Sequence, residues 1–220
     1  MFMISEHIVK IEQYMLVNTG DSAHDADHIY RVLNHALIIA KEYDVNEDVL
    51  VAACLLHDIG RPAQYADPRV CHAQIGSEMA YEFLKELAWN EDDCQHVKHC
   101  ILTHRFRNDL RPETIEAKIL YDADKLDVCG ALGIARTLQY EGKMNYSLQE
   151  FLSEYDRKLI KLYDLFYTET GKQMAANGKK LLTMFYNELK DQLDQSEAQN
   201  WLISAKTPQR TASILDLAIL

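Results

Sequence analysis

Apolar positions recur along this chain every three to four residues, and no stretch alternates with period two for long. The pattern predicts an all-α protein, with helices over roughly 3–18, 22–43, 46–59, 72–89, 91–103, 113–140, 147–168 and 170–194. Glycine and proline number only 8 and 4, so few positions interrupt that periodicity. The longest irregular stretches predicted are 60–71 and 104–112. Both follow helices that carry polar residues on an inward face, so both are expected at the mouth of a cleft.

One segment breaks the amphipathic rule. In VLVAACLLHDIGRP every position from Val49 to Leu56 is apolar, which predicts a helix buried nearly all round. His57 and Asp58 are carried inside with it. An ionised carboxylate buried without a partner costs several kcal/mol, so Asp58 must face a cation or a dense set of donors. Gly60 suits the residue past a helix end and Pro62 opposes continuation, so the pair falls in the last turn, where the macrodipole favours a cation.

Two other helices supply partners. Ser22, with Asp25 three residues on, reads as the start of a helix on which His28, Val32 and Ile39 turn to one face. Downstream, Ala117, Leu120, Asp124, Val128 and Ala131 share a stripe, which places Asp124 inward. His28, His57, Asp58 and Asp124 form a mixed nitrogen and oxygen set. Such a set suits a divalent ion such as manganese, iron, nickel, cobalt or magnesium better than a thiolate-seeking one.

These residues resemble the H…HD…D signature of the HD-domain metal-dependent phosphohydrolases. The surrounding strings AHDADHIYRV, LLHDIGRP, HAQIGSEMA, ILTHRFR, PETIEAKILYDADKLDVCGALGIAR and TETGKQMA resemble the small stand-alone bacterial HD hydrolases, a group that includes nucleotide pyrophosphohydrolases. The resemblance covers roughly residues 20 to 190, in order. It implies an HD-domain helical bundle with additional C-terminal helices. The expected organisation is one domain over 1–220, with a metal-binding core at about 20–140 and a helical extension at about 141–220. One departure lies in MAANGKK, where Gly178 stands at the place of the family's arginine.

His72 shares a stripe with Ile75, Gly76, Met79 and Phe83, and His104 ends the stripe of Val97 and Ile101. Both point inward, and both match positions that in two-metal HD proteins hold a second ion, with the doublet aspartate as the bridge. In a one-metal protein they contact substrate or water instead. Arg61, Arg105, Arg107, Lys125 and Arg136 concentrate beside this cluster and suit a phosphate. Asp127 orients the attacking water or holds a histidine proton, or else pairs with Lys125 or a nearby arginine.

Composition narrows the partners. A net charge of −11 disfavours nucleic acid as a bulk electrostatic partner, yet leaves room for one phosphorylated small molecule held by a metal and a few arginines. The N-terminus reads neither as a secretion signal nor as a membrane span, which points to the cytoplasm. The five cysteines form no C-x-x-C pair. Cys54 and Cys129 read as buried hydrophobes, and His96 and His99 in CQHVKHC as a solvated face. The apolar end ILDLAIL suits packing on the body or on another copy of the chain.

The expected activity is metal-assisted hydrolysis of a nucleotide or related phosphoester, and a nucleoside triphosphate pyrophosphohydrolase is one form of it. Two other classes share these features: a di-iron oxygenase of HD type, and a metal-dependent nucleotide sensor without turnover. Metal identity and oxygen dependence separate the first from the oxygenase, and turnover separates it from the sensor.

Overall fold

The helix that is apolar all round becomes the centre of the bundle. In the computed structural model, which describes residues 6–19, 26–105, 110–143, 145–154 and 160–194, α3 (Glu47–Leu56) packs against five other helices. These are α1 (Glu6–Asn18), α2 (Ala26–Ala40), α5 (His72–Glu86), α6 (Glu91–Thr103) and α7 (Ile115–Leu126). Val49, Leu50 and Ala52 to Leu56 are all buried. Asn46 starts α3 by accepting a hydrogen bond from the Val49 amide at 3.3 Å. Asn90 and Thr114 cap α6 and α7 in the same way, each satisfying an amide that the helix itself leaves unpaired. Every regular element among the described residues is a helix.

The remaining helices are α4 (Arg61–Ala66), α8 (Gly130–Lys143), α9 (Leu148–Glu154), α10 (Ile160–Leu162) and α11 (Glu169–Asp194). The chain divides into two compact units, 1–183 and 184–220, and every candidate residue named above belongs to the first. The proposed Ser22 start, Arg107 and the apolar tail lie outside the described residues. No helix among the described residues is long and apolar enough to cross a membrane.

Several expectations are corrected. The segment 60–71 is not wholly irregular, because α4 forms within it with Pro62 in its first turn, where proline lacks only an amide that would be unpaired anyway. Gly60 is accordingly the residue before α4, with φ −82°, and not a left-handed helix terminator. Its lack of a side chain serves packing: a Cβ there would meet the His72 carbonyl oxygen at 2.2 Å and the Gly76 amide nitrogen at 2.7 Å. Gly60 and Gly76 thus let α4 and α5 meet backbone to backbone.

The single helix predicted over 113–140 is two. It breaks at 127–129 and restarts at Gly130, whose φ of +64° glycine adopts at little cost. Gly133 confirms how tight the corner is, since a Cβ there would lie 2.1 Å from the Val128 carbonyl oxygen. Gly130 also touches Gly178 of α11, where a Cβ would come within 2.8 Å of the Gly130 nitrogen. The departure noted at position 178 therefore has a steric cause, for an arginine does not fit this contact.

Likewise the helix expected over 147–168 does not reach its predicted end, since residues 165–168 are not helical. Asp122 of α7 accepts hydrogen bonds from the amides of Tyr167 at 2.9 Å and Thr168 at 2.7 Å, which ties the segment ahead of α11 to α7. His96 and His99 are half-buried, not solvated: His96 Nε2 lies 2.9 Å from Thr114 Oγ1 and 3.1 Å from Glu116 Oε2, and His99 Nε2 accepts from the Glu113 amide. They tie α6 to the start of α7.

Candidate metal centre

Four histidines reach the middle of the first unit from different elements, and each is held by its Nδ1. His28 of α2 has Nδ1 2.7 Å from Asp127 Oδ2. His57, in the turn after α3, has Nδ1 2.7 Å from the Cys54 carbonyl oxygen. His72, the first residue of α5, has Nδ1 2.7 Å from Gln64 Oε1. His104, at the end of α6, has Nδ1 2.6 Å from the Ile101 carbonyl oxygen. Each partner is an oxygen that accepts, so each Nδ1 carries the proton and donates. Burial pushes His57 down and His104 well down, and takes His72 to about 4, so at neutral pH these three rings are uncharged. Their Nε2 atoms then present lone pairs to the interior.

Those lone pairs face one another. His57 Nε2 lies 3.3 Å from His28 Nε2, and His72 Nε2 lies 3.3 Å from His104 Nε2. Ring nitrogens so close to one another are placed to ligate a cation lying between them. Asp58, buried to 1 % exposure, stands between the two pairs. Its Oδ2 is 3.7 Å from both His28 Nε2 and His57 Nε2. Its Oδ1 is 3.2 Å from His72 Nε2 and 3.7 Å from His104 Nε2. Oδ2 has no hydrogen-bond partner, which is costly for a buried carboxylate oxygen unless it ligates a cation. Asp124 completes the first group, with Oδ1 3.5 Å from His28 Nε2.

Two donor sets therefore share one carboxylate: His28, His57 and Asp58, with Asp124 beside them, and His72, His104 and Asp58. Imidazole nitrogens and carboxylate oxygens in such numbers fit a divalent transition ion or magnesium. Burial raises the Asp58 carboxyl, but Arg61, His57 and His72 outweigh it and hold Asp58 well below the usual carboxylate range. Burial likewise raises Asp124, and Lys125 with His57, His28 and His104 brings it well below. Both remain ionised.

The basic residues divide by what they touch. Arg61 donates from Nε to Asp58 Oδ1 at 2.9 Å. Lys125 donates to Asp124 Oδ2 at 2.7 Å and to the His104 carbonyl oxygen at 3.0 Å. Arg136, on α8 and not on the helix of Asp124 as predicted, donates to the Asp127 carboxylate and, at 3.3 Å, to its carbonyl oxygen. Arg105 donates to Cys71 Sγ at 3.6 Å and lines a cleft of about 240 Å³ with Cys71, Ala73, Gln74 and Leu110. Asp127 accepts a hydrogen bond from His28 Nδ1 and pairs with arginines.

Two residues escaped the sequence reading. Arg31 donates from Nε and Nη2 to the two Asp127 oxygens at 2.7 and 3.1 Å. Its place one turn after His28 on the same helix was the available signal. Gln64, which fixes the His72 ring, fell in a stretch predicted to be irregular.

Residues 25–129 match the HD domain family. YpgQ of Bacillus subtilis (strain 168) is 26% identical over 192 residues, which cover 84% of this chain and 91% of that protein. The crystal structure of YpgQ in complex with ADP superposes with a TM-score of 0.70 at 25% identity, covering 86% of this chain and 98% of that one. An HD-superfamily hydrolase from Bacillus thuringiensis superposes with a TM-score of 0.66 at 29% identity, with coverages of 86% and 98%. Ribonuclease Y of Thermoanaerobacter pseudethanolicus is 29% identical over 170 residues, 74% of this chain but only 29% of that enzyme. Fold, donor sets and relatives together define an HD-superfamily hydrolase, in general terms a metal-dependent phosphohydrolase.

Proposed function

We propose that the protein hydrolyses a phosphoanhydride or phosphoester of a nucleotide, with one divalent ion held by His28, His57, Asp58 and Asp124. The observation that carries this reading is the Asp58 carboxylate, buried with Oδ2 unpartnered and set 3.7 Å from the Nε2 atoms of His28 and His57. A divalent ion bound there supplies Lewis acidity to a phosphoryl group and lowers the pKa of water.

The chain's own residues do the rest. His28 and His57 are oriented as Nε2 ligands by their Nδ1 bonds to Asp127 and to the Cys54 carbonyl oxygen. Lys125 and Arg105 at the rim orient the phosphate chain and offset negative charge growing on it. Water oxygen bonds to phosphorus while the bridging P–O bond breaks. For a triphosphate attacked at the α position, the products are a monophosphate and pyrophosphate. The ADP held by YpgQ supports a nucleotide over other phosphoesters, and the net charge of −11 disfavours a polymeric one such as RNA.

The test is a panel of ribo- and deoxyribonucleotides with manganese, magnesium, cobalt, nickel and iron, the products being separated by chromatography. Monophosphate with pyrophosphate is the expected outcome, and orthophosphate released in steps identifies a phosphatase. If no phosphate-containing product forms with any ion, and oxygen is consumed with iron, the chain is an oxygenase instead.

A further inference from the structure

The two donor sets are not alike, and Arg61 makes the difference. Asp58 Oδ2 faces the His28 and His57 nitrogens, with Asp124 close by. Around Oδ1 a cation is already in place: Arg61 Nε donates to it at 2.9 Å. The same guanidinium reaches Gln64 Oε1 at 3.5 Å, and that oxygen takes the His72 Nδ1 proton at 2.7 Å. Arg61, Asp58, His72 and Gln64 thus form a closed ring of contacts on one side of the site. The base of Arg61 cannot shift easily, because Pro62 follows it and Gly60 before it is wedged against the His72 carbonyl and Gly76.

Charge also separates the sets. The first can draw on two carboxylates, Asp58 and Asp124. The second has two uncharged imidazoles and one shared oxygen that is already paired with a guanidinium. A dication there would have a fixed positive charge as its nearest neighbour, in a buried site where such repulsion is weakly screened.

We infer that Arg61 acts as the resident cation of the second donor set, so that the free protein holds one divalent ion and admits a second at His72 and His104 only when Arg61 leaves Asp58. An anionic phosphate is the ligand suited to draw Arg61 away, since a guanidinium binds it by paired hydrogen bonds. The inference rests on the metal reading of the Asp58 site, and it makes Arg61 a regulator of ion count as well as a phosphate contact.

The experiment is equilibrium dialysis of the full chain against manganese, with elemental analysis and electron paramagnetic resonance for coupled ion pairs. The wild type is expected to hold one equivalent. Arg61→Gln is expected to hold two, with the second binding at least tenfold tighter than in the wild type and with a coupled-pair signal. Arg61→Lys keeps the charge and is expected to hold one. Adding His72→Ala to Arg61→Gln should return the count to one, which separates the second set from stray surface binding. Two equal-affinity ions in the wild type would overturn the inference, as would an unchanged count in Arg61→Gln with its thermal unfolding intact. Loss of even the first ion from the wild type would instead overturn the metal reading of the site, so the two failures are distinguishable.

Discussion

His28 Nδ1 lies 2.7 Å from Asp127 Oδ2, a contact across 99 positions of sequence. The same carboxylate receives Arg31 and Arg136, so one aspartate at the α7–α8 corner sets the ring of a candidate ligand and gathers two arginines at its back. Burial raises the Asp127 carboxyl, but His28, Arg31 and Arg136 hold it well below the usual range. Asp127→Ala removes the acceptor shared by three donors. It is expected to weaken metal binding by roughly 10- to 100-fold and to destabilise the fold by roughly 3 kcal/mol. Asp127→Asn keeps an oxygen for the His28 proton, so its metal affinity should fall less. Metal titration and thermal unfolding of both variants measure the two effects.

Gly60→Ala tests the backbone contact that places His72. The added carbon would lie 2.2 Å from a carbonyl oxygen and 2.7 Å from an amide nitrogen, and neither belongs to a side chain that can swing aside. The cost is expected to be about 3 kcal/mol or more, seen as a lowered unfolding temperature. Unchanged stability would mean that α4 and α5 separate freely.

The metal-free protein should lose stability as pH falls from about 6.5 toward 4. His57, His72 and His104 are all pushed below their ordinary value of 6.5 by burial, His72 to about 4. The folded chain therefore binds fewer protons than the unfolded one in this window. Each such group then removes up to about 1.4 kcal/mol per pH unit on acidification. Below about 3.8 the depressed carboxyls of Asp58, Asp124 and Asp127 add a second loss of the same sign. Unfolding temperatures across this range, in chelator, should trace both steps, and a flat profile above pH 4.5 would contradict the neutral buried rings.

Much of the site was legible because burial and chemistry conflict at particular positions. An apolar run that ends in His57-Asp58 has no reading as a solvated face, and the stripes through His28, His72, His104 and Asp124 turn those side chains toward the same interior. The α7–α8 break was not legible: Gly130 sits inside a continuous periodic pattern, and only its contact with Gly178 and the tight Gly133 corner require the turn. Gln64 was missed because a six-residue helix is too short to show a period. Arg31 was missed because it is about one-third exposed, and an arginine on the edge of an amphipathic helix reads as surface.

Asp124→Ala should abolish activity and lose most of the bound metal. Asp124 Oδ1 lies 3.5 Å from His28 Nε2 and its other oxygen holds Lys125, so the change removes a carboxylate from the first donor set and frees a lysine beside it. Elemental analysis that found the wild-type metal ratio in this variant would exclude Asp124 as a ligand.

His72→Ala and His104→Ala should separate ion binding from substrate binding. With Arg61 on Asp58 Oδ1, these rings do not hold the resting ion, so each variant is expected to retain one equivalent of metal. Their Nε2 atoms nevertheless face Asp58 at 3.2 and 3.7 Å, where a phosphate oxygen or a second ion would sit during turnover. The expected signature is an unchanged metal count with kcat/KM lowered roughly 10- to 100-fold, the scale on which a ligand or phosphate contact acts. His72→Ala should be the milder of the two in stability, because its Nδ1 partner Gln64 is a side chain that can turn to solvent, whereas His104 holds the carbonyl of Ile101. A drop of one full equivalent in either single variant would show instead that the resting ion depends on the second set. No change in metal or kinetics would return both histidines to the role of packed core residues.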